Sequence, residues 1–172
     1  RILSALGQED RAEEIERRMN THCIRYYQLS TDKAVMRIDS TSVCVYGGGA
    51  LSEGKGALSE GKGGEGGLIV HGYSKDHRPD LMQFKVLLAT LDPLGMPLVT
   101  QMVAGNASDD GLYIPAYDEA IKSIGSKVMS VGDSKMSALG TRAHIQRQGG
   151  RYITPLAMIG KVPQQLSEWV ST

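Results

Sequence analysis

The chain has 172 residues, 19 basic and 19 acidic side chains and no net charge, with 41% hydrophobic and 22% charged residues. That is enough chain for one buried core and excludes wholesale disorder, and no run approaches the roughly 18 apolar residues of a membrane helix. Two cysteines, Cys23 and Cys44, exclude a zinc knuckle or a disulfide framework, and RILSALGQEDRAEE lacks the apolar core of a signal peptide, so a reducing, cytoplasmic setting is expected.

Residues 8–27 read as a helix, since AEEIERRM is rich in helix formers and sets acids early and arginines late, the order the helix dipole favours. KAVMRIDSTSVCVYG predicts a strand from Ala34 to Tyr46. Ala34, Met36 and Ile38 then point to one face, and Val35, Arg37, Asp39 and Thr41 to the other. From Gly47 to Gly67 ten of 21 residues are glycine, and ALSEGKG occurs twice in tandem, which reads as a flexible loop lengthened at little cost. The G-x-x-x-x-G-K pattern at Gly56, Gly61 and Lys62 is not a P-loop, because Gly63 stands where a Ser or Thr must reach Mg²⁺.

After the polar turn HGYSKDHRPDL, the runs LMQFKVLLATLD and GMPLVTQMV flank Asp92-Pro93-Leu94-Gly95 and predict an antiparallel hairpin. AGNASDDG is a turn cluster. Beyond it Tyr113, Tyr117, Ala120, Ile121 and Ile124 recur at helical spacing, with Pro115 near enough the start to be tolerated. SKVMSV reads as a strand ending at Gly132-Asp133, SALGTRAHIQRQGG as a helix stopped by its glycines, and RYIT as a last strand closed by Pro155. After the N-terminal helix the order is β-β-β-α-β-α-β. It predicts an α/β fold, a mixed sheet flanked by helices, in the order of a ribonuclease H-like fold with a Gly-rich loop insertion.

Asp39 lies in an otherwise apolar strand and Asp133 at the end of another. A carboxylate in a sheet needs a partner or a metal. In this order the two strands are parallel neighbours, so the pair would face one another near the sheet's end. Such carboxylates serve two-metal phosphoryl transfer, and hard oxygen donors favour Mg²⁺ or Mn²⁺ over zinc. The plainer reading is that Asp39 bonds the backbone of Ser40 or Thr41 and Asp133 caps the next helix. Lys122 to Lys161 holds seven bases against the single acid Asp133, a phosphate-binding surface or a solvated one, whereas residues 1–33 balance six bases with six acids. His22, His71 and His144 share no ligand spacing and are expected at the surface. Ser40, Ser42 and Ser134 belong to no G-x-S-x-G elbow. Trp169 is expected to anchor the chain's end against the core.

RIDSTSV, GYSKDHRPDL, the GNASD turn and VGDSKMS, in that order, resemble the DDE transposases of bacterial insertion sequences, over about two-thirds of the chain from Asp39 to Pro155. The resemblance implies an N-terminal helical segment at 1–33 and a partial ribonuclease H-like catalytic domain at 34–172, its glycine-rich loop at 47–67. It implies Asp39 and Asp133 as the first two acidic metal ligands, and cleavage and transfer of double-stranded DNA at transposon ends with Mg²⁺ or Mn²⁺, without a covalent enzyme–DNA intermediate. A homo-oligomer on DNA is also expected. On this reading Lys75 and Arg78 of the polar cluster, and Lys135, Arg142 and Arg147 of the basic half, are the candidate DNA contacts. The plainer alternative pairs Arg78 with Asp80 across Pro79. The family's third acidic ligand is a Glu on a later helix, with Tyr and Arg upstream. The late candidate, Glu168, lacks both, so the third ligand is expected outside this sequence, which begins at Arg1 and reads as a fragment. The alternatives are an inactive DNA-binding remnant, or a ribonuclease H-like host nuclease, which would need that third carboxylate within the chain.

Overall fold

The computed structural model describes residues 9–31, 34–46, 67–73 and 77–171. The tandem heptapeptide, the rejected P-loop pattern and Lys75 lie outside the described residues. Helix α1 spans Glu9–Tyr26. Strand β1 is Val35–Val45, and the hairpin follows as β2, Met82–Leu91, and β3, Met96–Ala104. A 3-10 turn at Asp109–Gly111 leads into α2, Tyr113–Ile124. Then come β4, Met129–Gly132, α3, Leu139–Arg147, and β5, Arg151–Ile153. A further helix that the sequence reading does not contain, α4, spans Val162–Val170.

The strands form one sheet in the order β3-β2-β1-β4-β5. β1 runs antiparallel to β2, and β2 to β3, while β4 lies parallel to β1 and β5 parallel to β4. Three antiparallel strands extended by two parallel ones through helical crossovers make a ribonuclease H-like α/β sheet. Alternation sets the faces as the sequence implies. Met36, Ile38 and Ser40 are buried, and Arg37, Asp39 and Thr41 are exposed.

The buried face meets Tyr113, Ala116, Tyr117 and Ala120 of α2 and Ile145 of α3 in one core with Leu87, Ala89 and Leu91 of β2. Ile24 of α1 packs against the same core, and Asn20 Nδ2 donates to the Leu98 carbonyl at 2.7 Å, fastening α1 to β3. Because α2 and α3 each carry the chain back between parallel strands, both begin at the end of the sheet where β1 and β4 run out towards Asp39 and Asp133. Both finish at the opposite end. α4 contributes no buried residue, and Trp169 on it is 64% exposed. The expected anchoring of Trp169 is therefore wrong, since a helix that buries nothing offers it no core to meet.

Candidate functional site

The last register pair of the parallel β1–β4 ladder is Ile38 opposite Gly132. One residue further along each strand stand Asp39 and Asp133. Neighbouring strands lie about 4.8 Å apart, so the two residues are neighbours at the tip of β4, with Asp39 midway along β1. Asp39 is exposed and Asp133 half-buried. Both local bonds of the plainer reading are present. Asp39 Oδ1 accepts the Ser40 N–H at 2.7 Å, and Asp133 Oδ1 accepts the backbone N–H of Lys135 at 2.9 Å and of Met136 at 3.3 Å, capping the turn ahead of α3. Each leaves Oδ2 without a hydrogen bond among the described residues. The local hydrogen bonds thus all fall on one oxygen of each carboxylate.

The tip holds a residue that helical spacing marks only as core. Tyr113, at the start of α2, is fully buried, and its hydroxyl donates to Asp133 Oδ1 at 2.8 Å. Burial pushes this hydroxyl well above the ordinary tyrosine value. The bond to Asp133 and that carboxylate's charge push the same way, Ser40 opposes, and the charge of Asp39 adds to the rise. One hydroxyl thus senses β1 through Ser40 and Asp39, and β4 through Asp133. The signal available in the sequence was the oxygen itself, since a tyrosine on the inner face of a helix must satisfy its hydroxyl.

Two buried polar residues of β2 hold the neighbouring loops. Gln83 Nε2 donates to the carbonyls of Tyr73 at 2.9 Å and Gly105 at 3.0 Å, joining the HGY and GNASD segments to one strand. A side chain at Gly105 would collide with the Gln83 backbone carbonyl, so that close approach requires glycine. Lys85, its side chain 9% exposed, bonds Asp109 Oδ1 at 2.7 Å and the Ala107 carbonyl at 2.6 Å. This fixes the turn from which α2 departs and, through it, the position of Tyr113.

The remaining expected residues are not gathered at one place. Arg78 pairs twice with Asp80, Nε to Oδ1 at 2.8 Å and Nη2 to Oδ2 at 2.7 Å, and lies 5.7 Å over the Tyr46 ring. That bond holds the Asp80 carboxyl below its usual range. Lys135 is exposed, two residues from Asp133, and its backbone N–H bonds that carboxylate. Arg142 is half-buried, its Nε without a partner among the described residues, against a cavity of about 540 Å³ lined largely by apolar groups such as Pro155, Leu156 and Ile159. Arg147 is exposed in the last turn of α3 and belongs, with Lys122, Lys127 and Arg151, to the opposite end of the sheet. The basic half therefore does not surround Asp133, because chain neighbours on successive crossovers alternate between the two ends. His144 is no free surface histidine either. Its Nε2 lies 2.6 Å from Asp118 Oδ1 and it is 19% exposed, joining α3 to α2.

Two adjacent carboxylates, each with an oxygen to spare, suit a hard divalent cation whose remaining positions are taken by water. Among the described residues no group of three or more His, Cys, Asp or Glu side chains gathers, so neither Glu168 nor another carboxylate joins the pair. No described helix is long and apolar enough to cross a membrane.

The strand order and the two neighbouring carboxylates define a ribonuclease H-like domain. No family model matches the chain, and no curated protein matches it in sequence. Among solved structures it is similar to the Mos1 transposase paired-end complex with left transposon end, at 10% identity and a TM-score of 0.41, covering 94% of this chain and 55% of that one. It is also similar to the Mos1 strand transfer complex, at 12% identity and 0.39, covering 91% and 54%. The Mos1 mariner paired end complex with Mn gives 11% and 0.41, covering 93% and 55%. The chain thus spans little more than half the length of these proteins. Likeness at this level adds nothing to the reading of the site, which rests on the chain's own residues.

Proposed function

We propose that the chain is part of the catalytic core of a transposase, a metal-dependent enzyme that cleaves and transfers double-stranded DNA at insertion-sequence ends. The observation that supports this reading is that Asp39 of β1 and Asp133 at the end of parallel β4 are neighbours across the ladder, each with one carboxylate oxygen without a hydrogen bond among the described residues.

Asp39 and Asp133 would hold Mg²⁺ or Mn²⁺, and the cation, when bound, supplies Lewis-acid polarisation of the phosphodiester and stabilisation of the leaving oxygen. The chain's residues supply placement. The three donors on Asp133 Oδ1 fix that carboxylate and leave its Oδ2 without a hydrogen bond among the described residues. Lys135 sets a positive charge next to the carboxylates, where a scissile phosphate would lie. A third carboxylate from outside the described residues completes the site, and cleavage depends on it.

The absence of a third carboxylate among the described residues favours, as a second reading, a catalytically inactive remnant that retains DNA binding. Titration calorimetry with Mn²⁺ tests the first reading. Asp39→Asn and Asp133→Asn are each expected to abolish binding that the parent shows, with far-ultraviolet circular dichroism unchanged. If both variants bind Mn²⁺ as the parent does, the pair is not the metal site.

A further inference from the structure

Residues 1–33 are balanced in composition, but the charges of α1 are not evenly placed. Five acids precede Arg17, and from Arg17 to Thr31 the sequence contains no acid. Helical spacing brings Arg18, His22 and Arg25 to one face. The last turn of α2 sets Lys122 across from them, and with Arg17 and Glu14 these residues line a groove of about 330 Å³.

Its carboxylates are outnumbered. Glu14 bonds both Arg17 and Arg18, holding the two guanidinium groups in place, and Lys122 pairs with Glu119. Arg25 has no ion pair among the described residues. Four permanent cations thus stand against Glu14 in the groove and Glu13 and Glu119 beside it. Arg25 and Lys122 stand in the last turns of α1 and α2, where the helix dipole also favours a base. Arg18 and Arg25 are seven residues apart, roughly 10.5 Å along the helix. That is about three phosphates of one strand at 3.4 Å each.

We propose that this groove between the second half of α1 and the end of α2 is a docking surface for the phosphodiester backbone of duplex DNA, separate from the carboxylate pair. The choice of DNA as the polyanion rests on the function proposed above. The groove itself rests on the charge and geometry of α1 and α2. Lys122 lies nine residues beyond Tyr113 on α2, roughly 14 Å along the helix. A duplex seated here leaves the carboxylates open. Lys127, Arg147 and Arg151 belong to the same end of the sheet and extend the positive field around it.

The test is fluorescence anisotropy of a labelled duplex with the full chain, over roughly 50–200 mM salt. Arg18, Arg25 and Lys122 are exposed, so Arg18→Ala/Arg25→Ala/Lys122→Ala is expected to keep the parent's circular dichroism and Mn²⁺ binding. It is also expected to reduce the slope of log K against log salt by about 2–3, the release of three phosphate contacts. Arg25→Glu is expected to weaken binding about tenfold, and Arg11→Glu, the same charge change in the acidic half of α1, less than about twofold. A parent that binds duplex and a triple variant with the same affinity and slope overturn the groove alone. Equal losses from Arg25→Glu and Arg11→Glu also overturn it, leaving only a general charge effect. A parent that binds no duplex at any salt overturns the groove and the DNA-acting reading together, while the Mn²⁺ titrations judge the metal site on their own.

Discussion

Replacing Tyr113 by Phe removes one oxygen from the tip of the sheet and nothing else. The lost bond is charge-assisted, 2.8 Å to Asp133 Oδ1, a class worth about 1.5–3 kcal/mol. Asp133 keeps its bonds from the Lys135 and Met136 amides, so the carboxylate is not left bare and the lower end, about 1.5 kcal/mol, is expected. For a chain of this size that corresponds to a fall in Tm of about 3–6 °C. The pH dependence gives an independent check. The folded protein holds the hydroxyl protonated above its ordinary pKa, so its contribution is complete below about pH 10 and declines as pH rises towards the folded value. Phenylalanine has no such dependence, and the stability gap between parent and variant should therefore narrow above about pH 10. With one of three restraints on Asp133 gone, Mn²⁺ affinity should fall about tenfold, the usual cost of losing a group that orients a metal ligand. Urea unfolding at several pH values and titration calorimetry measure both effects. A Tyr113→Phe protein with the parent's stability and the parent's Mn²⁺ affinity would refute the role assigned to this hydroxyl.

Asp133→Ala and Asp133→Asn should differ in stability while agreeing in metal binding. The amide oxygen of Asn still caps the turn, so Ala is expected to be less stable by about 1 kcal/mol in thermal unfolding although neither binds Mn²⁺. Lys85→Met removes the ammonium bonded to the Asp109 carboxylate, 11% exposed, and should cost about 3 kcal/mol in urea unfolding. Lys85→Met/Asp109→Asn should recover part of that loss. A double variant no more stable than Lys85→Met would show that the loss comes from packing and not from the broken ion pair.

Much of the architecture is written in short-range pattern. The alternation of Met36, Ile38 and Ser40 against Arg37, Asp39 and Thr41, and the turn at Asp92–Gly95, predict β1 and the hairpin because each depends on neighbours in the chain. Asp39 and Asp133 are legible as a pair once the strand order is read, since a parallel register is all that brings them together. What escaped depends on tertiary placement. The count of seven bases from Lys122 to Lys161 suggests one surface, but two crossovers distribute them between opposite ends of the sheet. Balanced composition over residues 1–33 concealed a helix with an acidic half and a basic half. Gln83 and Lys85 share parity with Leu87, Ala89 and Leu91 and are buried with them, but their partners are loop carbonyls and a loop carboxylate that no local pattern reveals.

The chain returns to the described fold at Gly67, and three residues later Val70 and Gln83 exchange both backbone hydrogen bonds, at 3.0 and 2.9 Å. Gln83 is also the residue whose side chain grips Tyr73 and Gly105. The position of β2 is set by its ten register pairs with β1, to which Val70 adds one bridge at Gln83, and not by how many residues separate Val70 from Tyr46. One further heptapeptide in that interval would cost only about 0.3 kcal/mol, because closure entropy grows with the logarithm of length. Length there and the placement of the two carboxylates are uncoupled by the strand pairing on either side.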